Sequence, residues 1–259
     1  MISITLLPPF FQLHHYPLVT STNDLIRDLV KQGKGRDGLI VQADQQTAGR
    51  GRRGRSWVSP IGNFYMSMLV EKIPKQSLQE VAQIGFVASL SMAVAINHLI
   101  GRPKTVQIKW PNDLLIDKRK CAGMLLETLP PGNSTDPFFI ILGIGVNITS
   151  FPEGLPYLAT SLKEVQENSN ISIRQLLGQF CDDFLPRLKN WRAGNFVDIR
   201  KEWLEYACGI SEDILVHLPS ETIAGKFVDL NDQGQLLLEN AAGIRKITVG
   251  DVFFPTRRA

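Results

Sequence analysis

Cysteine is scarce in this chain: Cys121, Cys181 and Cys208 are the only three among 259 residues. An odd number with no Cys-x-x-Cys pair argues against a disulfide framework and a structural zinc site, and leaves reduced thiols packed as small apolar groups. No basic stretch opens the N-terminus, and Pro8 and Pro9 interrupt the apolar run from Met1 to Phe11, so a signal peptide is not expected. The longest apolar stretch, 84–100, is broken by Gly85, Ser89, Ser91, Asn97 and His98, and reads as too short and too polar to span a membrane. A cytoplasmic protein without a membrane partner is the resulting expectation. Charge of one sign is not in excess either. The 28 basic residues face 25 acidic ones, a net charge of +3, which by itself gives no case for nucleic-acid binding. No internal repeat or low-complexity tract stands out. With 44% hydrophobic and 20% charged residues, the chain has the composition of a globular protein with a well-buried core.

The apolar pattern divides the chain into 1–208 and 209–259. In the first part, Ser21 and Thr22 are helix-capping types, and Leu25, Ile26, Leu29 and Val30 recur with helical period up to Gly33. Residues 38–43 and 63–70 read as strands, the latter with Phe64, Met66 and Met68 on one face. Residues 78–100 read as one long helix. Strands follow at 106–109, 114–116 and 124–129, with Asp117-Lys118 as a tight turn, and another at 138–148. Residues 173–191 and 196–207 read as two further helices. Short turns between strands favour antiparallel pairing over strict alternation of strand and helix, hence an α+β fold with a mixed, largely antiparallel sheet and flanking helices. In the second part, 214–218, 222–230, 235–239 and 244–249 are short strands separated by turns, which suggests a small C-terminal β-barrel.

Three runs carry polar chemistry. In Gly49-Arg50-Gly51-Arg52-Arg53-Gly54-Arg55, glycines allow close backbone approach and arginines offer forked donors for phosphate or carboxylate. The like charges repel, so this loop is expected to order around an anionic partner. Nucleotide, nucleic acid and plain solvation all remain open on composition. In Lys109-Trp110-Pro111-Asn112-Asp113, Pro111 presents Asn112 and Asp113 at a turn. Asp113 is either an ordinary turn residue or a carboxylate for Mg²⁺ or proton removal. Lys120, ahead of Ala122 and Gly123, is either a solvated strand end or an amine at a pocket floor. Gly143-Ile144-Gly145-Val146-Asn147 lacks the rest of a dinucleotide fingerprint and implies close approach of a backbone or ligand.

Taken in order, Ser21-Thr22-Asn23, Gln46 to Arg55 with Trp57, Lys109 to Leu114, Lys120 with Ala122-Gly123, and Gly145-Val146-Asn147 resemble the biotin–protein ligases over essentially the whole chain. The resemblance implies a class II synthetase-like catalytic domain at 1–208 and an SH3-like barrel at 209–259. It implies that biotin and ATP form biotinyl-5′-AMP, with Mg²⁺ on the phosphates. Biotin then passes to a lysine of a biotin carboxyl carrier domain of acetyl-CoA carboxylase. By the same resemblance Lys120, Arg50, Arg52 and Asp113 are catalytic, and Asp113 is a metal ligand or base. Biotin would meet Ser21, Thr22, Asn23, Gln46, Gly49, Arg50, Gly51, Arg52, Lys120, Gly123 and Gly145. ATP would meet Arg50, Arg52, Arg53, Arg55, Trp57, Lys109, Asn112, Lys120 and Asn147. Only about twenty residues precede Ser21, so no helix-turn-helix domain and no sequence-specific DNA binding are expected. A sheet edge offers a route to a homodimer. The alternatives are a lipoate–protein ligase-like acyltransferase and a nucleic-acid-binding regulator that uses 49–55 as a basic arm.

Overall fold

The computed structural model describes residues 7–73, 77–133, 137–166 and 171–254. Residues 1–6 of the N-terminal run and 255–259 of the C-terminal unit thus lie outside the described residues. A seven-stranded sheet forms the larger part. Its strands are β1 (Gln12–Tyr16), β2 (Leu39–Ala43), β3 (Phe64–Glu71), β4 (Val106–Lys109), β5 (Asp113–Ile116), β6 (Arg119–Leu129) and β7 (Phe139–Val146), in the order β1-β2-β3-β7-β6-β5-β4. β1 and β2 pair in parallel, and every other pair is antiparallel. This is the mixed, largely antiparallel sheet expected. The β5–β6 turn places Asp117 and Lys118 at φ 50° and 60°, the left-handed geometry of a tight hairpin.

Helix α1 (Thr22–Lys31) connects β1 to β2 and buries Thr22, Asn23, Ile26 and Leu29, one stripe at helical spacing. Ile26 and Leu29 pack with Leu39, Val41, Leu69, Phe139 and Ile141 on one face of the sheet. The other face carries the main core. There β3 presents Phe64, Met66 and Met68 to α3 (Ile84–Ile100), which α5 (Ile173–Arg192) and α6 (Phe196–Tyr206) cover in turn. β3 is therefore buried on both faces, with Tyr65 and Ser67 on the second.

The helix expected at 78–100 is two pieces, α2 (Leu78–Val81) and α3. Between them the backbone tightens into i→i+3 bonds, from Gly85 N–H to Ala82 C=O and from Phe86 N–H to Gln83 C=O. Gln83 there bridges two elements, donating to the Asp232 carbonyl and accepting the Trp191 indole N–H. By length and composition Gln79–Ile100 does reach membrane-spanning character, contrary to the sequence expectation. Of its 18-residue apolar window, however, 83% is buried inside the protein, as in a core helix. A short α4 (Leu162–Val165) completes the helices described.

The C-terminal unit is a five-stranded antiparallel sheet ordered β11-β10-β9-β8-β12, built from β8 (Asp213–His217), β9 (Thr222–Leu230), β10 (Leu236–Asn240), β11 (Gly243–Ile247) and β12 (Asp251–Phe253). Ile214, Val216, Phe227, Leu230, Leu236 and Leu238 join the main core, so the two sheets share one continuous apolar cluster. The Trp110 indole donates to the Gly234 carbonyl and fixes the C-terminal unit beside the Lys109–Asp113 turn.

Candidate active site

Three glycines open the sheet from within. Gly143 and Gly145 alternate on β7 and face Ser67 and Tyr65 of β3 on one side and Leu125 and Gly123 of β6 on the other. An added Cβ at Gly143 would stand 2.6 Å from Asn23 Oδ1, and one at Gly145 2.6 Å from the Trp57 indole. At Gly123 it would lie 3.3 Å from Lys120 Nζ and Trp57. The missing side chains thus make the trough that Asn23, Trp57 and Lys120 occupy. Above it lies a cleft lined by Ser21, Thr22, Asn23, Gln46, Arg50, Gly51, Arg52, Arg55, Trp57, Lys109, Asn112, Asp113, Lys120, Gly123 and Gly145, among others. A smaller hollow of about 410 Å³, lined by Asn147, Leu155 and Pro152, shares Trp57, Tyr157 and Lys120 with it. The two chambers meet at Lys120.

Lys120 is held from three sides. Its Nζ lies 2.6 Å from Asp113 Oδ1, and 5.4 Å from the ring centres of both Trp57 and Tyr157. The second Asp113 oxygen takes Lys109 Nζ at 3.2 Å, and Lys109 also donates to the Val252 carbonyl at 3.3 Å. Burial pushes the Asp113 carboxyl up, but the two ammonium groups outweigh it and hold it below its ordinary range. Asp113 is therefore an ammonium-paired carboxylate and a weak proton acceptor. Asn112 donates to the Met124 carbonyl and accepts Arg52 Nη1 at 3.0 Å.

The arginine loop is a tight hairpin closed by Gly51 N–H to Arg55 C=O and Trp57 N–H to Gly49 C=O. Its tip, a 3₁₀ turn at Arg52–Gly54, has Arg53 and Gly54 at φ 55° and 72°. The anionic partner that such a loop calls for is supplied by the chain itself. Asp251 of β12 receives Arg53 Nη1 at 3.2 Å and Arg55 Nη2 at 3.3 Å, with Arg52 Nη1 at 3.6 Å. Burial, opposed by Asp251 and Asp113, lowers the Arg52 pKa from its usual value. Arg50 points the other way, onto Asp24 at 2.5 and 2.7 Å.

At the far end, Gln46 Oε1 accepts the Thr22 N–H at 2.9 Å and the Thr22 hydroxyl at 3.1 Å. The Ser21 side chain makes no capping bond, so Gln46 rather than Ser21 satisfies the start of α1. Gly49 and Arg53 do not line the main cleft, and Asn147 sits in the smaller one. Asn147 donates to the Thr160 carbonyl and its N–H to that of Cys121, which fixes the hollow's floor. Sequence reasoning missed Asp251, Tyr157, Ser67 and Glu127. Ser67 was discoverable as a small polar residue inside an apolar strand; Glu127, Asp251 and Tyr157 carried no local signal.

Among the described residues no three His, Cys, Asp or Glu side chains converge on a metal site. Both Asp113 oxygens are engaged by ammonium groups. Asp113 alone does not make a Mg²⁺ cage, and an ion there would rest mostly on substrate phosphates and water.

Residues 16–147 match the Biotin/lipoate A/B protein ligase family, and residues 212–254 match the Biotin protein ligase C terminal domain. The Biotin--[acetyl-CoA-carboxylase] ligase of Paracoccus denitrificans is 32% identical over 244 residues, covering 92% of this chain and 99% of that one. The Bifunctional ligase/repressor BirA of Bacillus subtilis is 31% identical over 245 residues, or 93% of this chain and 73% of that one. The structure of the biotin protein ligase from Aquifex aeolicus in complex with biotin and ATP superposes with a TM-score of 0.79 at 28% identity, covering 93% of this chain and 97% of that one.

Proposed function

Since the chain belongs to the biotin/lipoate A/B protein ligase family, we propose that it joins biotin to a protein lysine through biotinyl-5′-AMP. The observation that carries this reading is Lys120, fixed by Asp113, Trp57 and Tyr157 where two chambers meet beneath an arginine loop. Biotin takes the chamber of Thr22, Asn23 and Gln46, and the nucleotide takes that of Trp57 and Asn147. Their reacting ends, carboxylate and α-phosphate, then meet at Lys120. Both are anions. Lys120 and Arg52 offset their repulsion and the charge that grows on the α-phosphoryl oxygens as the C–O–P bond forms and pyrophosphate leaves. In the second step an acceptor amine attacks the acyl carbon, its proton passes to solvent water, and AMP departs. Asp113 is poorly suited to take that proton, because two ammonium groups depress its basicity. Its role is to hold Lys120 in place. A Mg²⁺ ion brought with the triphosphate would supply further neutralisation of the phosphate charge.

The acceptor we propose is the biotin carboxyl carrier domain of acetyl-CoA carboxylase. The match of residues 212–254 to a biotin-specific C-terminal domain favours biotin over lipoate. Three free, buried cysteines fit a reducing compartment, and the cytoplasm is the compartment proposed. Biotin-dependent ATP–pyrophosphate exchange tests the reading: exchange with biotin but not lipoate supports it, and exchange with lipoate alone overturns it.

A further inference from the structure

Glu127 takes no part in the chemistry above, yet it ends a hydrogen-bonded chain that runs through Asn23 and Ser67 to Thr22, and of these Thr22 and Asn23 line the biotin chamber. Its Oε2 accepts Asn23 Nδ2 at 2.7 Å and Arg27 Nη2 at 3.2 Å, with Arg50 Nη2 at 3.6 Å. A carboxylate has lone pairs but no hydrogen, so it admits one orientation of the Asn23 amide, NH₂ toward Glu127 and C=O away. That carbonyl accepts the Ser67 hydroxyl at 2.5 Å, and Ser67 Oγ also lies 2.7 Å from Thr22 Oγ1. Ser67 has one hydrogen. Committed to Asn23, it leaves only lone pairs facing Thr22, so the 2.7 Å contact draws on the single Thr22 hydroxyl hydrogen, which is shared with Gln46 Oε1 at 3.1 Å. The other end of the chain is fixed independently, because the Thr22 backbone N–H holds Gln46 Oε1 as an acceptor. The direction of the middle link therefore depends on Glu127.

We propose that Glu127 is a positioning residue that sets the donor–acceptor polarity of the biotin chamber. A ureido ring has a fixed pattern, an accepting C=O between two N–H donors. A chamber of fixed polarity selects that pattern, whereas one free to flip presents the wrong pattern part of the time. A glutamine at 127 offers either NH₂ or C=O to Asn23, so the Asn23 amide and the Ser67 hydrogen can both reverse. The inference rests on biotin occupying this chamber.

Calorimetric dissociation constants on the full chain test it, for biotin and for an analogue in which one ureido N–H is replaced by a ring oxygen, an acceptor where biotin has a donor. Wild-type protein is expected to prefer biotin. Glu127→Gln is expected to lose about tenfold of that preference, the worth of one misdirected hydrogen bond. Glu127→Gln with Asn23→Asp is expected to regain it, since an acid at 23 again accepts from both neighbours. Ser67→Ala, which removes the reversible hydroxyl but keeps Glu127 and its arginines, is expected to lose the preference too. An unchanged preference in folded Glu127→Gln or in Ser67→Ala, or no recovery in the double variant, overturns the proposal. A wild-type chain that binds neither compound instead sinks the functional reading beneath it.

Discussion

Replacing Asp251 by asparagine removes the carboxylate on which Arg53 and Arg55 close at 3.2 and 3.3 Å, with Arg52 at 3.6 Å. The side chains of Asp251, Arg53 and Arg55 are 18%, 36% and 51% exposed, so solvent screens these pairs. Screened pairs contribute about 0.2–1 kcal/mol each, which gives roughly 1–2 kcal/mol of loop ordering for the cluster. Two opposite outcomes compete. Asp251 could rival the phosphates for the guanidinium groups, or it could hold the hairpin so that Arg52 faces the cleft. The geometry favours the second. The closer contacts go to Arg53 and Arg55 at the rim, while Arg52 is farther from Asp251 and bonded to Asn112. In Asp251→Asn the ordering must then come from nucleotide binding. The KM for ATP in biotin-dependent pyrophosphate release is expected to rise about 5–30-fold, while the KM for biotin stays within about twofold. Tryptic cleavage after Arg50–Arg55 is expected to quicken, and to slow again with biotin and ATP. A fall in the ATP KM, or no change in either KM or cleavage, would refute this reasoning.

Lys120→Ala is expected to slow pyrophosphate release by about 10²–10³, the usual loss for one transition-state donor. Wild-type rates there would remove Lys120 from the mechanism. Asp113→Asn leaves Lys120 and Lys109 without their shared, largely buried carboxylate. That is expected to destabilise the fold by about 3–5 kcal/mol, read as a drop of roughly 6–20 °C in Tm. The pH dependence follows from the sign of the shift. The folded carboxyl lies below its ordinary 3.8, so its stabilisation is present above that value and is lost as pH falls through the lower, folded one. Acid melts of wild type and Asp113→Asn are therefore expected to converge only below about pH 4; a constant gap down to pH 2 would contradict the ion cluster. Gly145→Ala puts a methyl 2.6 Å from the Trp57 indole, which must then leave the trough. A shifted Trp57 emission and at least a tenfold or so loss in adenylate formation are expected, and an unchanged spectrum would contradict the packing.

The strands that pack the core were legible because their apolar residues alternate or run unbroken, as at 63–70 and 138–148. β1, Gln-Leu-His-His-Tyr, was missed because an edge strand has little apolar surface to bury. β12 was missed because three residues carry no period. The break between α2 and α3 comes from Gln83 bonding to distant elements, which no local pattern encodes. Within the site, motif residues that share a run were easy to gather, and nearly all of them line one cleft. What stayed hidden is what the fold brings from elsewhere: Asp251 from 196 residues beyond Arg55, and Glu127 from 104 beyond Asn23. The loop's expected need for an anion was sound physics, but the sequence did not disclose that β12 provides one.

The central claim, that guanidinium and ammonium groups bring two anions into reacting contact, is tested most directly by mass spectrometry of the purified protein given biotin, ATP and Mg²⁺. The account predicts a retained species with the mass of biotinyl-AMP, absent in Lys120→Ala and consumed when a carrier-domain lysine is supplied. Wild-type protein that stays folded, binds both substrates and accumulates no acyl-adenylate would contradict it.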